Sequence, residues 1–319
     1  MKSPTNTAIA PEIAPAGWRT PAGPTRRRAL AAGLGGALLA GGAAAARAAA
    51  PANPGPGVVV VSPGLDLPPA LQAPGQPARR TLRIHLPRGL RSGAAAATGR
   101  RYPVIYLHDA QNLFDAATAY AGEWGLDEAL DQLAATTGLE AIAVGIDHGG
   151  ERRIAELTPW SHPRIGAPLG EAYLGFVVDV VKPFVDARWP TLPGPAHTLM
   201  AGSSMGGLMS HYALHQRPEV FGAAAVLSPA FWIAPAVFEH TETRPRPASA
   251  RLYLYAGGQE GDSMAADAQR MHALLASQGP AGPASLRWRL APAAGHNEAA
   301  WRAVLPDLLR WWLVPLALA

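Results

Sequence analysis

Short apolar runs alternate with amphipathic stretches along most of the chain. The runs predict β-strands at residues 81–87, 102–108, 140–147, 197–202, 251–257 and 285–290. The first run alternates polar and apolar residues, as a strand with one exposed face does, and the next four are more continuously apolar, as central strands of a parallel sheet are. Apolar residues recur at helical spacing at residues 123–135, 170–188, 204–215, 263–278 and 297–312. This alternation predicts an α/β fold with a mostly parallel central sheet and helices on both faces.

The first 80 residues depart from this pattern. Residues 1–50 carry three consecutive arginines, a weakly apolar stretch of Ala, Gly and Leu, and then small residues suited to A-x-A cleavage, which is the layout of a secretory signal. The stretch resembles a twin-arginine leader, which implies transport by the twin-arginine export machinery to the periplasm or the exterior. Residues 51–80, rich in Pro, Gly and Ala, predict an irregular segment around a short valine run. The α/β domain is therefore expected to span residues 81–319.

Composition narrows the classes of function. Residues 1–50 hold six basic residues and one acidic residue, which contribute +5 to the whole-chain charge of +4 and leave −1 for the rest, so charge gives no reason to expect nucleic-acid binding. The leader is too rich in glycine for a stable membrane span, and the short, Pro-interrupted C-terminus favours a core-packing helix. The absence of cysteine from the sequence excludes disulfides, thiolate metal sites and a cysteine nucleophile.

The segment AGSSMGG holds the most informative motif. Gly202, Ser204 and Gly206 satisfy G-x-S-x-G between a predicted strand and a predicted helix, which is the setting in which the motif forms a nucleophile elbow. Small residues on each side of the serine let strand and helix pack closely and leave the central hydroxyl exposed on a tight turn. The motif also fits a glycine-rich loop in which Ser203 or Ser204 caps the helix, and the downstream residues favour the nucleophile.

A serine nucleophile needs a base that an acid orients. In folds of this kind the chain order is serine, acid, histidine, and His296 lies between the last predicted strand and the last predicted helix. The other late histidines are less suitable, because His240 lies in a Pro-flanked loop and His272 within a helical pattern. His296 is therefore the expected base. Two carboxylates, Glu260 and Asp262, follow an earlier strand, and either is within reach of that loop.

Acyl transfer also needs two N–H donors for the developing oxyanion. Met205, the residue after the candidate nucleophile, is expected to supply one donor. The second comes from a loop after an earlier strand, and the segment DAQN at residues 109–112 follows the predicted strand at 102–108. The predicted oxyanion hole therefore combines the elbow with this loop.

Three segments follow a known family pattern, and they read RYPVIYLHDAQNLFDAATAYAGEWGLDEAL, ERRIAELTPW and AGSSMGGLMSHYALHQRPEVFGAAAVLSPAFW. Together they resemble the putative-esterase family of α/β-hydrolases. That family includes enterochelin-type siderophore esterases, S-formylglutathione hydrolases, feruloyl esterases and the mycolyltransferases of the antigen 85 complex. The likeness spans residues 80–315 in the family's order and implies the α/β-hydrolase fold.

The resemblance implies a role for each site residue. Ser204 is the implied nucleophile, His296 the base, and Glu260, the fourth residue of the loop GGQE, the acid, which decides between the two carboxylates. Gln111 is the implied second oxyanion donor through its N–H. The family's usual D-G-Q-N has Ala110 in place of the glycine here, and this alanine is strained if the loop requires a positive φ at that position.

Substrate-lining roles are also expected near the cleft. The residues are Asp109, Trp124, Trp160 and Arg153, the last for an anionic substrate. Buried tryptophans also serve packing, so both interpretations apply to the two tryptophans. His211 and His215 lie one helical turn apart without a third ligand in the sequence pattern, which favours packing over a metal site.

The sequence thus predicts an exported serine esterase that hydrolyses carboxylic esters through an acyl-enzyme, with no metal or organic cofactor. Its expected partner is a small-molecule or polymer-linked ester, such as a siderophore ester or an acylated carbohydrate. Two alternatives stay open. The same triad serves acyl transfer of the mycolyltransferase type, in which an alcohol replaces water. A hydrolase scaffold can also serve as a noncatalytic ligand-binding module.

Overall fold

An eight-stranded, mostly parallel sheet lies at the centre of the protein. The computed structural model describes residues 59–62, 64–163, 165–261 and 263–318. The strands among these residues are β1 (Val59–Val61), β2 (Leu65–Asp66), β3 (Arg79–Arg80), β4 (Leu82–His85), β5 (Val104–His108), β6 (Ile142–Ile146), β7 (Thr198–Ser203), β8 (Ala223–Leu227), β9 (Arg251–Gly257) and β10 (Leu286–Ala291). The predicted leader, residues 1–50, lies outside the described residues.

The strands of the later half of the chain, β7 to β10, lie next to one another in sequence order at one side of the sheet. The order is β1-β4-β6-β5-β7-β8-β9-β10, and β2 and β3 form a separate antiparallel pair. The pairs β1–β4 and β4–β6 are antiparallel, and the pairs from β6 to β10 are all parallel. The carboxyl ends of the parallel strands meet at one edge of the sheet, which is where open α/β sheets carry their sites.

Helices cover both faces of the sheet, as the sequence predicts. The α-helices of the described residues are α1 (Arg88–Arg91), α2 (Ala94–Thr98), α3 (Leu126–Thr137), α4 (Arg153–Glu156), α5 (Gly170–Phe176), α6 (Lys182–Arg188), α7 (Met205–Gln216), α8 (Ala236–Thr243), α9 (Met264–Gln278) and α10 (Glu298–Leu318). A π-helical turn, Val177–Val181, joins α5 to α6, so the helix predicted at residues 170–188 is present with one widened turn. Within the described part of the chain, no helix has the length and hydropathy that crossing a membrane requires.

Side chains of each parallel strand alternate between two hydrophobic cores. In β5, Val104 and Tyr106 face the core that α5, α7 and α9 cover, and Ile105 and Leu107 face the core that α3 and α10 cover. All four side chains are at most 1% exposed. Burial of a side chain of this size contributes roughly 1.5–3 kcal/mol. The strands that carry the site are therefore anchored from both faces.

The C-terminal helix α10 is a packing element, as expected from its composition. Its apolar side buries Trp301, Leu305, Leu308 and Trp312 against the sheet. The helix continues six residues beyond the predicted end at residue 312, with prolines at 306 and 315 inside it. Its first turn directly follows the loop that carries the candidate base.

Several elements were not predicted: the short helices α1, α2 and α4, the strand β8 and the helix α8. The strand β8 has the sequence AAAVL, and alanine carries little strand propensity, but β8 is fully buried between β7 and β9. The helix α8 includes His240, so the prediction of a Pro-flanked loop there was wrong. Its N-cap is Pro235, and a proline suits a helix start as well as a loop. The segment 51–80 also contributes β1 to the sheet, together with the pair β2–β3.

Candidate active site

Ser204 occupies a strained turn between β7 and α7. Its backbone angles are φ 57° and ψ −120°, a region that residues with a side chain adopt only at a cost of about 1–3 kcal/mol. Hydrogen bonds hold the turn on both sides, because the Ser204 N–H donates to the carbonyl of Leu227 at 2.9 Å and the Ser204 carbonyl accepts from Ala230 N–H at 3.0 Å. This is the geometry that a nucleophile elbow requires.

The glycines of the motif are needed for space. A Cβ on Gly202 would lie 2.7 Å from Cδ2 of His108 and 2.8 Å from the carbonyl carbon of Gly206. A Cβ on Gly206 would lie 3.3 Å from His108 Cβ, which is tight but less severe. Met205 begins α7, so its N–H belongs to the first helical turn, whose amides have no intrahelical acceptor. The helix terminus therefore directs N–H groups and a positive partial charge to the region beside Ser204.

Glu260 and His296 meet across the loops that follow β9 and β10. Oε2 of Glu260 lies 3.8 Å from Nδ1 of His296, which is ion-pair distance. The Glu260 side chain is fully buried, whereas that of His296 is 31% exposed. The loops can approach this closely because residue 257 is glycine. A Cβ at this position would overlap the carbonyl oxygen of Ala294. The alternative acid Asp262 lies outside the described residues.

Ser228 joins the acid to the elbow. It follows Leu227, whose carbonyl accepts the Ser204 N–H, and its hydroxyl donates to Oε1 of Glu260 at 2.5 Å. The indole N–H of Trp301 donates to the same hydroxyl at 2.9 Å. The predicted nucleophile, acid and base are thus grouped at the carboxyl ends of neighbouring strands, with Ser228 and Trp301 as residues that the sequence did not reveal. A serine directly after an apolar run and a tryptophan five residues after the base are the signals that were present.

The loop after β5 is a short 3-10 helix, Ala110–Asn112. The positive φ lies at Asp109 (58°) and not at Ala110. Ala110 is fully buried, and its methyl packs at Gly145 in β6, where a Cβ would lie 2.7 Å away. The alanine that replaces the family's glycine is therefore accommodated by a glycine in the neighbouring strand, without strain from a positive φ at that position.

The side chain of Gln111 ties this loop to the loop after β6. Its Oε1 accepts the N–H of His148 at 3.0 Å, and its Nε2 donates to the His148 carbonyl at 3.4 Å. A cavity of about 250 Å³ adjoins Gln111 and is also lined by Leu71, Arg79 and Asp147. The side chain of Gln111 therefore anchors the loop, and the oxyanion role predicted for its backbone N–H stays a prediction.

Asp109 and Arg153 form a buried ion pair. Nε of Arg153 lies 2.5 Å from Oδ1 of Asp109, and Nη2 lies 2.7 Å from Oδ2. Burial alone would raise the pKa of Asp109, but the charge and hydrogen bonds of Arg153 outweigh it and lower the pKa below the usual value. These two of the four residues predicted to line the cleft thus bind each other. Beside them, burial lowers the pKa of His108 to about 4, and its Nδ1 lies 2.8 Å from the hydroxyl of Tyr173.

The two predicted lining tryptophans belong to opposite faces of the sheet. Trp124 is buried and packs against Trp301 with ring centroids 5.8 Å apart, so it lies next to the group around His296. Trp160 contacts Tyr212 at 5.3 Å and His240 at 5.4 Å, in the core on the other face. The structure brings the first of these tryptophans towards the candidate triad and places the second with the histidines of α7 and α8.

The helix histidines pack in the interior. Nε2 of His211 lies 2.8 Å from the hydroxyl of Thr241, and Nδ1 of His215 lies 2.7 Å from the carbonyl of Arg244 and donates to it. Burial lowers the pKa of both imidazoles, to about 4 for His215. Across the residues with described positions, no three His, Asp or Glu side chains are arranged to hold a metal ion.

Comparison with known proteins decides the family. Residues 75–312 match the family model described as "Putative esterase". The chain belongs to this esterase family. It is similar to the siderophore triacetylfusarinine C esterase of Aspergillus fumigatus, with 34% identity over 145 residues, which are 42% of this chain and 47% of that protein. It is 26% identical over 166 residues to the uncharacterized protein YbbA of Bacillus subtilis, which covers 50% of this chain and 62% of that protein.

The chain therefore spans only part of the length of these two curated relatives, 62% of YbbA and 47% of the siderophore esterase. In three dimensions, the esterase-family chain is similar to the enterobactin esterase FES of Shigella flexneri, crystallised in the presence of 2,3-dihydroxy-N-benzoyl-glycine. The TM-score is 0.59 at 20% identity, and the match covers 81% of this chain and 59% of that one. The likeness confirms the α/β-hydrolase fold that the sequence predicts.

Proposed function

We propose that this protein hydrolyses carboxylic esters through an acyl-enzyme, with Ser204 as nucleophile, His296 as base and Glu260 as the acid that orients the imidazole. The conformation of Ser204 carries the proposal. A non-glycine residue at φ 57° and ψ −120°, held between a strand and the first turn of a helix, is a costly arrangement. It is the arrangement that presents a hydroxyl next to oxyanion donors.

The chemistry follows from the orientation of His296. Its Nδ1 faces the Glu260 carboxyl, which leaves Nε2 to accept the proton of the Ser204 hydroxyl as the oxygen attacks the ester carbonyl. The negative charge on the former carbonyl oxygen is stabilised by the N–H groups of Met205 and Gln111. When the intermediate collapses, the alcohol leaves with the proton from His296. Water then repeats the sequence on the acyl-enzyme and releases the acid.

Membership of the esterase family and similarity to a siderophore esterase support an ester substrate. We propose a siderophore ester or an acylated carbohydrate as the substrate class. Residues 1–50, with their arginine run and small-residue segment, support export through the twin-arginine machinery to the periplasm or the exterior. The substrate class is tested by comparing the rates at which the protein hydrolyses ferric triacetylfusarinine C and a feruloylated sugar. Export is tested by cell fractionation of the wild type and of a variant with Arg26→Lys and Arg27→Lys in the leader.

Fluorophosphonate labelling tests the nucleophile. The purified protein is treated with the probe, and the adduct is located by intact mass and peptide mapping. One adduct on Ser204 is expected, absent in Ser204→Ala and retained in Ser203→Ala, which removes the neighbouring hydroxyl. Ester hydrolysis should fall by about 10⁴ to 10⁶ in kcat in Ser204→Ala. A folded protein that binds the ester without labelling would favour a binding module, and an acylated alcohol among the products would favour acyl transfer.

A further inference from the structure

Ser228 lies between the candidate acid and a tryptophan of α10. It receives a hydrogen bond from Trp301 Nε1 at 2.9 Å and gives one to Glu260 Oε1 at 2.5 Å. We propose that Ser228 and Trp301 are positioning residues that fix the orientation of the Glu260 carboxyl towards His296. This proposal rests on the esterase mechanism proposed above.

The direction of the chain of hydrogen bonds is set by chemistry. An indole N–H can only donate, so the Ser228 oxygen accepts from Trp301. The hydroxyl proton of Ser228 therefore points towards the other neighbour, Oε1 of Glu260. The rotation of the hydroxyl, which is otherwise free in a serine, is thereby fixed from both sides. One carboxyl oxygen is occupied, and the other, Oε2, faces Nδ1 of His296 at 3.8 Å.

Burial excludes water from this arrangement. Ser228 is 0% exposed and Trp301 is 5% exposed, and the Glu260 side chain is fully buried. Among the described residues, Oε2 of Glu260 has no hydrogen-bond partner. A buried carboxyl oxygen without a partner is costly, and His296 is the group that it faces. Ser228 therefore determines which of the two oxygens is left for the imidazole.

Trp301 also contacts the base. Its ring meets the His296 imidazole edge-on, with centroids 5.0 Å apart and planes at 89°. The same indole therefore touches the imidazole directly and reaches the acid through Ser228. Trp124 packs against the indole at 5.8 Å, which anchors it in the core that α3 and α10 cover. One rigid ring thus sets the relative position of acid and base.

The backbone at Ser228 gives independent support. Its φ is 44°, in the left-handed region that favours glycine. The N–H donates to the carbonyl of Tyr255 at 2.8 Å, which ties the residue to β9. Glycine would satisfy this backbone with less strain, so the hydroxyl is the feature that a serine adds here.

Two substitutions test the proposal. Ser228→Gly removes the hydroxyl while it relieves the backbone strain, and thermal unfolding of the variant checks that it is folded at the assay temperature. Trp301→Phe removes the N–H and keeps a ring beside His296. The matched control is Trp311→Phe, because Trp311 lies on the same helix, is 6% exposed and donates its N–H to the carbonyl of Pro283 at 3.0 Å. Its loss removes an equivalent hydrogen bond away from Glu260.

The readouts are kcat, KM and the rate of fluorophosphonate labelling. Ser228→Gly and Trp301→Phe are each expected to lower kcat and the labelling rate by about 10- to 100-fold, as loss of an outer partner of a reacting group does, with KM within about twofold. Trp311→Phe should stay within about twofold of the wild type. In a Glu260→Ala background, Ser228→Gly should have no further effect beyond about twofold, because the hydroxyl acts through the carboxyl.

The outcomes separate the two proposals. Suppose that the wild type is active and that Ser228→Gly keeps kcat within threefold of it, or lowers kcat by the same factor in the Glu260→Ala background as in the wild type. Either result would overturn the positioning role and leave the esterase mechanism intact. A wild-type protein that neither labels nor hydrolyses esters, like Ser204→Ala, would overturn the esterase mechanism and the positioning role with it. An effect of Trp311→Phe equal to that of Trp301→Phe would also overturn the positioning role.

Discussion

Arg153 donates two parallel hydrogen bonds of 2.5 and 2.7 Å to the carboxylate of Asp109, at the start of the candidate oxyanion loop. Asp109 is the first residue after β5 and adopts a left-handed conformation. Its Oδ2 lies 3.6 Å from the position that a Cβ on Gly206 would occupy. The ion pair thus connects the loop after β5, the α4 helix that begins at Arg153 and the elbow around Ser204.

Removal of one partner should be costly because the other charge stays buried. Arg153→Met is expected to lower the free energy of unfolding by about 3–5 kcal/mol, measured by urea denaturation. Asp109→Leu combined with Arg153→Met should recover a large part of this loss. Arg79→Met breaks an exposed pair with Asp66 and should cost under about 1 kcal/mol. Equal costs for the buried and the exposed pair would contradict the prediction.

The strain at Ser204 predicts an unusual stability order. Ser204→Gly should be more stable than Ser204→Ala by about 1–3 kcal/mol, because glycine adopts φ 57° without the penalty that a Cβ brings. Thermal and urea unfolding measure the difference. At Ser203, inside β7, the order should reverse, since glycine in a strand is less stable than alanine by roughly 0.5–1 kcal/mol. The same sign at both positions would argue against strain at the elbow.

The close approach at Gly202 predicts a steric effect. Gly202→Ala would place a methyl 2.7 Å from His108 and 2.8 Å from the backbone of Gly206, so we expect a loss of about 1–3 kcal/mol in stability and slower labelling of Ser204. Gly194→Ala is the control, because nothing lies within 4 Å of its Cβ position and its φ is −72°. That change should be neutral or stabilise by up to about 1 kcal/mol. Wild-type stability in Gly202→Ala would contradict the packing described here.

The buried histidines predict acid sensitivity. Burial lowers the pKa of His215 from 6.5 to about 4, so the unfolded chain binds a proton between these values while the folded protein does not. The stability that neutral His215 supports is therefore complete above pH 6.5, falls as the pH drops, and stops falling below pH 4. In His215→Gln, the loss of unfolding free energy between pH 7 and pH 5 should be smaller by on the order of 2 kcal/mol. An identical pH slope in both proteins would contradict this.

The elements that were predicted from sequence are those with a strong internal pattern. The strand predicted at 251–257 coincides with β9, and the helix predicted at 263–278 begins one residue later as α9, because their apolar periodicity reflects burial on a defined face. The strand β8 was missed since alanines carry no such pattern. The α8 helix was missed because it is short and its flanking prolines resemble a loop.

The elbow was predicted because the spacing of its small residues expresses a local steric requirement. The partners of the acid were not, because Ser228 and Trp301 are 73 residues apart and meet only when α10 packs on the sheet. Periodicity shows which face of α10 is buried, but not which strand end each tryptophan contacts. For the same reason Asp109 and Arg153, 44 residues apart, were each assigned to the cleft without an indication that they pair.

The alanine-rich sequence of β8 has a consequence for folding. Three successive alanines offer nearly the same methyl to both faces of the sheet, so side-chain pattern alone discriminates weakly against a one-residue slip of this strand. The backbone bonds at its carboxyl end, from Ser204 to Leu227 and from Ser228 to Tyr255, define the alignment instead. The turns that carry Ser204 and Ser228 therefore also fix the register of β8. A chain that mispairs β8 is expected to lose the geometry of the candidate site before it loses much of its core.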